Sequence, residues 1–508
     1  MSPTALSPAV ARFTPRRSML ALTALLLAGI ALRTGGFLFQ THVLFFDETL
    51  QYFEQGHRLT FGAGIVPWEF HEGIRSWLLP GMIAGLMRIT APFVDDPMVY
   101  IALVRILCAI LSLVIVIGGF RAGHRHDGRL GALLTGGLCA IWFDLIYFAP
   151  AAMTEVIAAH CAVAALLLGE GERPPRRLIL AGGLLGLAVC LRYQYAPALA
   201  LAAAWQYWRV PNQWCWLAVG GGTAILLIGG MLDALTLGTP FQSIWLNFSL
   251  NASMGIASAI STEPSGYYLT YLMTAFMPLP LFLGLAMLGA TRSPALAIAA
   301  LAVLVMHSLV PHKEARFIYL TIATAPILIG LGSARVLRLL QARFGTRAVR
   351  VGAPVLMALF TAASCFNGGV LLGPRWSFQR GTVHAFLAAH GTADLCGLQV
   401  RGIPPWRSGG YTYLHRDVPL SFDPPFTEVR LPGVPLPLRF TVDQPGRLTG
   451  SGAAGQSGSM PYSHVIAPAA SPPSGFDPVI CFPEDARPGD PELCLFRRPA
   501  GCSANGSS

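Results

Sequence analysis

The chain has 508 residues, of which 54% are hydrophobic and only 12% are charged, and its mean hydropathy is +0.56. A soluble domain carries about 25% charged residues, so these values exclude a protein whose whole surface faces water. The net charge of +10 does not indicate nucleic-acid binding, because the basic residues lie in short loops between apolar segments. We therefore expect a protein of the lipid bilayer that binds no nucleic acid.

About eleven apolar segments have a length suited to crossing the hydrocarbon core, which needs roughly 20 helical residues. The predicted spans are 18–40, 97–120, 130–149, 153–169, 178–193, 195–209, 214–234, 267–290, 294–310, 315–334 and 350–372. Arg192 and the polar residues after it predict a break between the fifth and sixth spans. The expected fold class is an all-α polytopic membrane protein.

Clusters of arginine indicate how these spans are oriented. With eleven spans, four clusters fall on one side of the membrane, at 12–17, 121–129, 173–177 and 335–350. The positive-inside rule makes that side cytoplasmic, so the N-terminus is expected inside. The first apolar run lacks a clear small-residue cleavage site, which favours an uncleaved helix over a signal peptide. Three polar loops are then expected outside, at 41–96, 235–266 and 311–316.

Residues 373–508 are rich in Pro, Gly and Ser and contain no further long apolar run. They predict a small outer soluble region with some β structure, in which residues 446–475 form a flexible stretch. In an arginine-rich chain of bacterial character, this region would be periplasmic and the membrane the inner one. Without a CxxC pair a zinc site is not expected. One or two disulfides are plausible outside the cytoplasm, among Cys396, Cys481, Cys494 and Cys502.

The first outer loop begins with adjacent carboxylates, Asp47 and Glu48. The spacing of Phe46, Leu50 and Phe53 predicts a helix that lies on the membrane surface with its apolar side down. One carboxylate could act as general base toward an acceptor hydroxyl, and the neighbouring charge would raise the pKa of at least one of the two. In the alternative interpretation, Asp47 caps the helix and Glu48 stabilises its first turn.

The same loop continues with residues 68–77, a stretch that begins and ends with tryptophan. Trp68 and Trp77 suit an interfacial aromatic belt, and they equally suit stacking on a sugar, so both interpretations stay open. Arg75 has the charge and the planar geometry to hold a phosphate.

The loop between the ninth and tenth spans contains Lys313, the only lysine of the chain. An ammonium and a guanidinium are not interchangeable at a shaped site, so this lysine indicates a specific role rather than a solvated turn. Together with Arg316 and His312, it is expected to grip a donor phosphate, on which charge grows in the transition state.

Three stretches resemble glycosyltransferase family 22, the polyprenol-phosphate-dependent mannosyltransferases of the GT-C superfamily. They are Asp47-Glu48 through Trp77, Asp233 through Asn251 to Tyr267-Tyr268, and His312-Lys313-Glu314 with Arg316-Phe317. They occur in this order within residues of roughly 30–330. One departure is that Phe45-Phe46 stands where the family often has His-Pro, which leaves the acid pair itself intact.

The resemblance implies a GT-C-type bundle over residues 1–372 and an inverting transfer of a sugar, with mannose as first choice. The donor would be a polyprenyl-phosphate sugar at the outer face, and the acceptor a glycan or glycolipid. Asp47 would be the catalytic base, supported by Glu48. The donor phosphate would be bound by Lys313, Arg316, His312 and Arg75. The acceptor or the sugar would be contacted by Trp68, Glu69, Trp77, Asn251 and Tyr267. No cofactor and no metal are expected.

Other functions remain open besides a GT-C enzyme that uses another sugar. A flippase or transporter of lipid-linked sugars would place charged residues inside several spans. Here the ionisable residues cluster at one face, with Asp144 as the main exception. A membrane anchor that presents residues 373–508 to a partner would leave the loop around Lys313 unexplained.

Overall fold

A computed structural model describes residues 14–39, 42–444, 462–485 and 491–499. In the first half of the chain, the helices are Pro15–Phe39 (α1), Glu54–Phe61 (α2), Trp68–His71 (α3), Leu78–Thr90 (α4), Pro97–Ile141 (α5), Phe143–Tyr147 (α6), Thr154–Leu168 (α7), Pro175–Leu191 (α8), Ala196–Tyr207 (α9) and Trp214–Ala224 (α10). In the second half, they are Asp233–Leu237 (α11), Gln242–Phe248 (α12), Ile256–Ile260 (α13), Tyr267–Ala275 (α14), Leu279–Ala290 (α15), Pro294–Ser308 (α16), Tyr319–Phe344 (α17), Thr346–Leu372 (α18), Arg380–His390 (α19) and Gly410–Leu414 (α20).

Shorter helical segments and nine strands complete the described secondary structure. The π-helical segments are Glu48–Phe53, Ile225–Leu232 and Ser249–Ser253, and the 3-10 turns are Tyr193–Tyr195, Pro211–Gln213, Ala315–Ile318, Gly373–Ser377 and Pro405–Arg407. The strands are Gly64–Val66 (β1), Leu398–Arg401 (β2), Leu420–Asp423 (β3), Glu428–Val429 (β4), Leu438–Arg439 (β5), Thr441–Asp443 (β6), His464–Pro468 (β7), Asp477–Pro483 (β8) and Glu492–Arg497 (β9). The chain is mostly helical, but the all-α expectation is wrong because three sheets are present.

Within the described residues, the predicted apolar segments coincide largely with helices. The predicted break is present at Arg192, directly after the end of α8. Among the described residues, five helical stretches are long and apolar enough to cross a membrane, and a sixth is counted if α14 and α15, bent by 93°, form one span. Helix α5 contains a turn at Asp127 and Gly128, whose backbone angles are not helical. The number of eleven crossings stays a prediction.

The chain divides into two compact units, and the first comprises Met1–Gly35, Ile106–Met231 and Ile260–Gly373. Its helices approach closely where glycine removes the side chain from the contact. A Cβ atom on Gly220 of α10 would lie 1.9 Å from the carbonyl oxygen of Ile179 on α8. A Cβ on Gly289 of α15 would lie equally close to the carbonyl oxygen of Leu328 on α17. Small residues at contacts of this kind are typical of membrane helices, which gain no hydrophobic energy from packing on each other.

The second unit comprises Gly36–Arg105, Leu232–Ala259 and Pro374–Ser508. Its main sheet has the order β3-β2-β7-β9-β8. The first three strands run parallel, and β9 pairs antiparallel with both β7 and β8. A disulfide joins the directly opposed residues Cys481 and Cys494 of β8 and β9, and Cys396 is disulfide-bonded as well. The expectation of disulfides in this region is therefore confirmed.

Residues 446–475, expected to be flexible, lie only partly within the described chain. Residues 446–461 fall outside it, whereas β7 forms a strand whose residues His464 to Ala467 are buried. This strand is central in the sheet, so the later part of the stretch is ordered structure.

The first outer loop is bound to the C-terminal region within the second unit. Strand β1 pairs antiparallel with β6. The buried carboxylate of Glu54 accepts hydrogen bonds from the backbone N–H groups of Ile65, Tyr411 and Thr412, at 2.8, 2.9 and 2.8 Å. The hydroxyl of Thr412 donates a further bond at 2.6 Å. One glutamate thus holds α20 against the helix that starts beside Asp47.

Candidate active site

The predicted acid pair stands at the start of a buried helix that runs through Glu48–Phe53 into α2. Every residue of the π-helical segment is buried within the protein, the polar residues as well as the apolar ones. The expected position of this helix on the membrane surface stays a prediction. Asp47 forms no capping hydrogen bond through its side chain. The capping interpretation of Asp47 is therefore disfavoured, and its carboxylate needs another explanation.

Glu48 is fully buried and forms an ion pair with Arg105, at 2.9 Å between Oε2 and Nη2. Removing either partner of such a pair leaves a buried charge uncompensated, which is strongly destabilising. Glu48 is thus held in place as a support for the residues beside it. Arg105 was not predicted from the sequence, although it is the only charged residue within the apolar run 97–120, a signal that points to function in membrane helices.

Glu69 lies in the electrostatic neighbourhood of Asp47. Its Oε1 accepts a hydrogen bond of 2.8 Å from Nε2 of Gln51 and lies 4.0 Å from Nη2 of Arg75. Burial raises the pKa of Glu69 to about 7, against the opposing effect of Arg75 and with a further contribution from the charge of Asp47. The second unit therefore brings together the carboxylates of Asp47 and Glu69 and the guanidinium of Arg75, and Glu69 retains its proton up to near-neutral pH.

The remaining predicted contact residues of the second unit are Trp68, Trp77 and Asn251. Trp68 is 6% exposed, whereas Trp77 is partly exposed and packs edge-on against Phe70. Asn251 donates to Asn247 at 3.0 Å, and Asn247 donates to the carbonyl of Ile74 at 3.1 Å. The two asparagines share a helix face, and they connect Asn251 to the loop that contains Arg75.

The loop around Lys313 belongs to the first unit. Lys313 is 5% exposed, and its ammonium donates to the carbonyl oxygens of Glu263 and Pro311 at 3.1 and 3.4 Å. Within the described part of the chain, this ammonium forms no ion pair with a carboxylate. Its positive charge is therefore solvated by backbone dipoles without being neutralised.

Arg316 has the opposite environment, because two carboxylates surround it. Its Nε and Nη2 donate to the two carboxylate oxygens of Glu314 at 2.7 and 2.8 Å, and its Nη1 lies 3.3 Å from Oε1 of Glu155. Burial raises the pKa of Glu314, but Arg316 and the hydrogen bond with His312 outweigh it and hold this pKa well below its ordinary value. Glu155, at the start of α7, is a second residue that the sequence analysis missed.

The predicted site residues are distributed over both units. The second unit contains Asp47, Glu48, Trp68, Glu69, Arg75, Trp77 and Asn251. The first unit contains Tyr267, His312, Lys313 and Arg316. Tyr267 lies at the start of α14 with its ring centroid 5.3 Å from that of Tyr268. Among the residues described, no three or more His, Cys, Asp or Glu side chains are arranged to hold a metal ion.

The sequence profile of the Alg9-like mannosyltransferase family matches residues 24–372, well over half of the chain. The chain belongs to this family. The family predicted from the resemblance of its three motifs is therefore confirmed.

Curated relatives of this Alg9-like protein are named as mannosyltransferases. GPI mannosyltransferase 3 of Yarrowia lipolytica is 29% identical over 292 residues, which are 54% of this chain and 55% of the relative. GPI mannosyltransferase 3 of Drosophila melanogaster is 45% identical over 67 residues, 13% of this chain and 12% of the relative. The chain thus matches about half or less of the length of these relatives.

A solved structure shares the fold. The crystal structure of ArnT from Cupriavidus metallidurans bound to undecaprenyl phosphate aligns with a TM-score of 0.51 over 80% of this chain and 85% of ArnT. The sequence identity is 13%, so this likeness concerns the fold alone. It agrees with the GT-C-type architecture expected from the sequence.

Proposed function

We propose that this member of the Alg9-like family transfers mannose from a polyprenyl-phosphate donor to a glycan or glycolipid acceptor, with inversion at the anomeric carbon. The names of its relatives support the sugar. The observation that carries the mechanism is the pair Asp47 and Glu69, two electrostatically coupled carboxylates of which Glu69 holds its proton up to a pKa of about 7. A proton acceptor beside a group of this kind suits general base catalysis.

In the proposed reaction, the carboxylate of Asp47 takes the proton of the acceptor hydroxyl. The hydroxyl oxygen bonds to the anomeric carbon while the bond from that carbon to the phosphate oxygen breaks. The phosphate leaves with the electron pair, and a single displacement inverts the configuration. Glu48, fixed by Arg105, supports the position of Asp47.

The leaving phosphate requires positive charge, because negative charge grows on its oxygen in the transition state. We assign this role to Lys313, with Arg316, His312 and Arg75 as further candidates. Lys313 is favoured among them because its ammonium contacts only carbonyl oxygens. Arg316 is already neutralised by Glu314 and Glu155, so it would orient the loop more than bind the donor.

Aromatic and polar side chains are proposed to contact the acceptor or the sugar. We assign this role to Glu69, Trp77, Asn251 and Tyr267, and we assign a packing role to the buried Trp68. No metal or other cofactor is proposed, so turnover should persist when divalent cations are chelated.

The reaction is proposed to occur at the outer face of a bacterial inner membrane, with the N-terminus cytoplasmic and the C-terminal region periplasmic. The disulfide between Cys481 and Cys494 supports this orientation, because such bonds persist in oxidising compartments. The arginine clusters of the loops on the other side agree with it.

A transfer assay tests the proposal with purified protein, polyprenyl-phosphate-mannose and a pooled extract of envelope lipids and glycans. Asp47→Asn keeps the shape of the side chain and removes the base, so we expect turnover to fall by at least about 100-fold. Asp96→Asn is the matched control, since Asp96 is an exposed residue of the same loop that caps α5 through Met98 N, and asparagine caps equally well.

Lys313→Arg, measured in parallel, should raise the KM for the donor, because it keeps the charge and changes its shape. Full turnover of Asp47→Asn would contradict the proposed base. Absence of transfer by the wild type with mannose, glucose and arabinose donors would contradict the enzymatic proposal and favour transport of a lipid-linked sugar.

A further inference from the structure

Arg192 occupies an unusual position within the first unit. It ends α8 and precedes the turn Tyr193–Tyr195, with backbone angles (φ −145°, ψ 82°) that leave the helix. The residue is 9% exposed. Its guanidinium carbon lies 4.7 Å from the ring centroid of Phe317, the residue that directly follows Arg316.

No acidic group neutralises this guanidinium. Within the described chain, Arg192 forms no ion pair and no side-chain hydrogen bond, and its Nε is buried without a partner. Arg192 interacts electrostatically with the side chains of Tyr195, Tyr268 and His307. None of these three groups is an anion. A buried charge without a counter-ion is costly unless something else supplies the opposite charge.

The contrast with Arg316 shows that this environment is specific to Arg192. Both guanidinium groups lie over the ring of Phe317, at 4.7 and 5.4 Å. Arg316 is balanced by Glu314 and Glu155, whereas Arg192 has no such partner. Lys313 likewise has no carboxylate partner among the described residues, so the segment before Phe317 and the end of α8 each contain a buried cation without a counter-ion in that part of the chain.

We propose that Arg192 is a further donor-binding residue that holds the phosphate of the lipid-linked sugar and, after transfer, of the released polyprenyl phosphate. This inference rests on the function proposed above. A guanidinium donates two parallel N–H bonds to phosphate oxygens. The guanidinium carbon of Arg192 lies over the ring of Phe317, which attracts a cation through its ring electrons, and within the described chain the guanidinium makes no side-chain hydrogen bond that a phosphate would have to displace.

The orientation of α8 agrees with this assignment. The opposite end of α8 begins within the arginine cluster 173–177, which the positive-inside rule makes cytoplasmic. Arg192 then lies at the outer end of the helix, where the proposed donor is bound.

Direct binding tests the inference without requiring turnover. Wild type, Arg192→Gln, Arg192→Lys and Arg173→Gln are reconstituted in phosphatidylcholine nanodiscs, and binding of undecaprenyl phosphate is titrated. Loss of hydrogen bonds to a charged group predicts a Kd at least about tenfold higher for Arg192→Gln, with Arg192→Lys in between. Arg173 is the matched control, because it lies just before the other end of α8 and also covers an aromatic ring, that of Tyr207.

A stability measurement separates binding from folding. Because the uncompensated charge is removed, we expect the ligand-free Tm of Arg192→Gln to equal or exceed that of the wild type, while the rise in Tm caused by undecaprenyl phosphate is reduced. Inorganic phosphate and phosphatidylglycerol are titrated alongside and should bind more weakly than the polyprenyl phosphate.

The inference is overturned if Arg192→Gln binds undecaprenyl phosphate as tightly as the wild type, or if Arg173→Gln weakens binding equally. If phosphatidylglycerol binds as tightly as undecaprenyl phosphate, the site is a general contact with anionic lipids, and the inference is overturned as well. If the wild type binds no polyprenyl phosphate, the proposed function itself fails together with this inference.

Discussion

The protonation of Glu69 is expected to make the stability of the protein depend on pH. Its pKa in the folded protein, about 7, lies above the ordinary value of 4.5. The stability that the proton provides is complete below 4.5 and is lost as the pH rises through 7. This shift corresponds to about 3 kcal/mol. We expect the Tm of the wild type to fall between these pH values, and the Tm of Glu69→Gln to lack that decline. Glu72→Gln, three residues away, should behave as the wild type, and parallel curves for all three proteins would contradict the assignment.

The site residues predicted from the sequence are those with a distinctive local pattern. Asp47 and Glu48 are adjacent in an aromatic loop, and Lys313 is the only lysine in the chain. Arg105 could not be assigned to Glu48, because the two are separated by 57 positions and no local pattern records which distant charge neutralises another. The sequence therefore indicates candidate catalytic and binding groups, whereas the structure shows the partners that interact with their charges.

At the level of elements, the packing of α10 on α8 depends on one missing side chain. A Cβ on Gly220 would overlap the backbone of Ile179, whereas a Cβ on Gly222 of the same helix would meet nothing within 4 Å. We expect Gly220→Ala to destabilise the protein by about 1–3 kcal/mol, the usual cost of overpacking. Gly222→Ala should be neutral or stabilising, by up to about 1 kcal/mol. Thermal unfolding of both variants in one detergent measures this difference. Equal Tm values would contradict the prediction, because α10 and α8 would then accommodate the added methyl group without loss of stability.

The helices were predictable because long apolar runs with basic ends are specific to membrane spans. The sheets were harder to predict than the helices, because their strands are short. Strand β7, for example, has only five residues, of which four are buried. The helix after Asp47 was assigned to the membrane surface from the spacing of its apolar residues. That spacing fixes which residues share a face, but it does not reveal that Glu48 and Glu54 on other faces have buried partners.

For the whole molecule, the boundary predicted from hydropathy differs from the boundary between the two compact units. The loss of apolar runs after residue 372 separates a membrane part from a soluble part, which is a statement about solvent. The contacts instead group the first outer loop with the C-terminal region, through partners such as Glu54 and Tyr411 that are 357 residues apart. A C-terminal region that completes the unit around Asp47 is expected to be required for activity, which a separate module for display to a partner would not be.

Glu54 offers a test of that dependence. Its carboxylate accepts four hydrogen bonds from Ile65, Tyr411 and Thr412. In Glu54→Gln an amide NH₂ would face some of these donors, and each buried group left unsatisfied costs about 1–3 kcal/mol. We expect faster amide exchange in both β1 and α20, together with reduced transfer, although Glu54 touches no substrate in the proposed mechanism.

The matched control is Glu428→Gln in the same unit. Among the described residues, Glu428 forms an ion pair only with the highly exposed Arg430, and such surface pairs contribute about 0–1 kcal/mol to stability. Hydrogen exchange followed by mass spectrometry reports both segments in one experiment. Faster exchange confined to the first loop, with α20 and turnover unchanged, would mean that the two parts of the second unit are stabilised independently. Coupled loosening would instead make the C-terminal region part of the scaffold that positions Asp47.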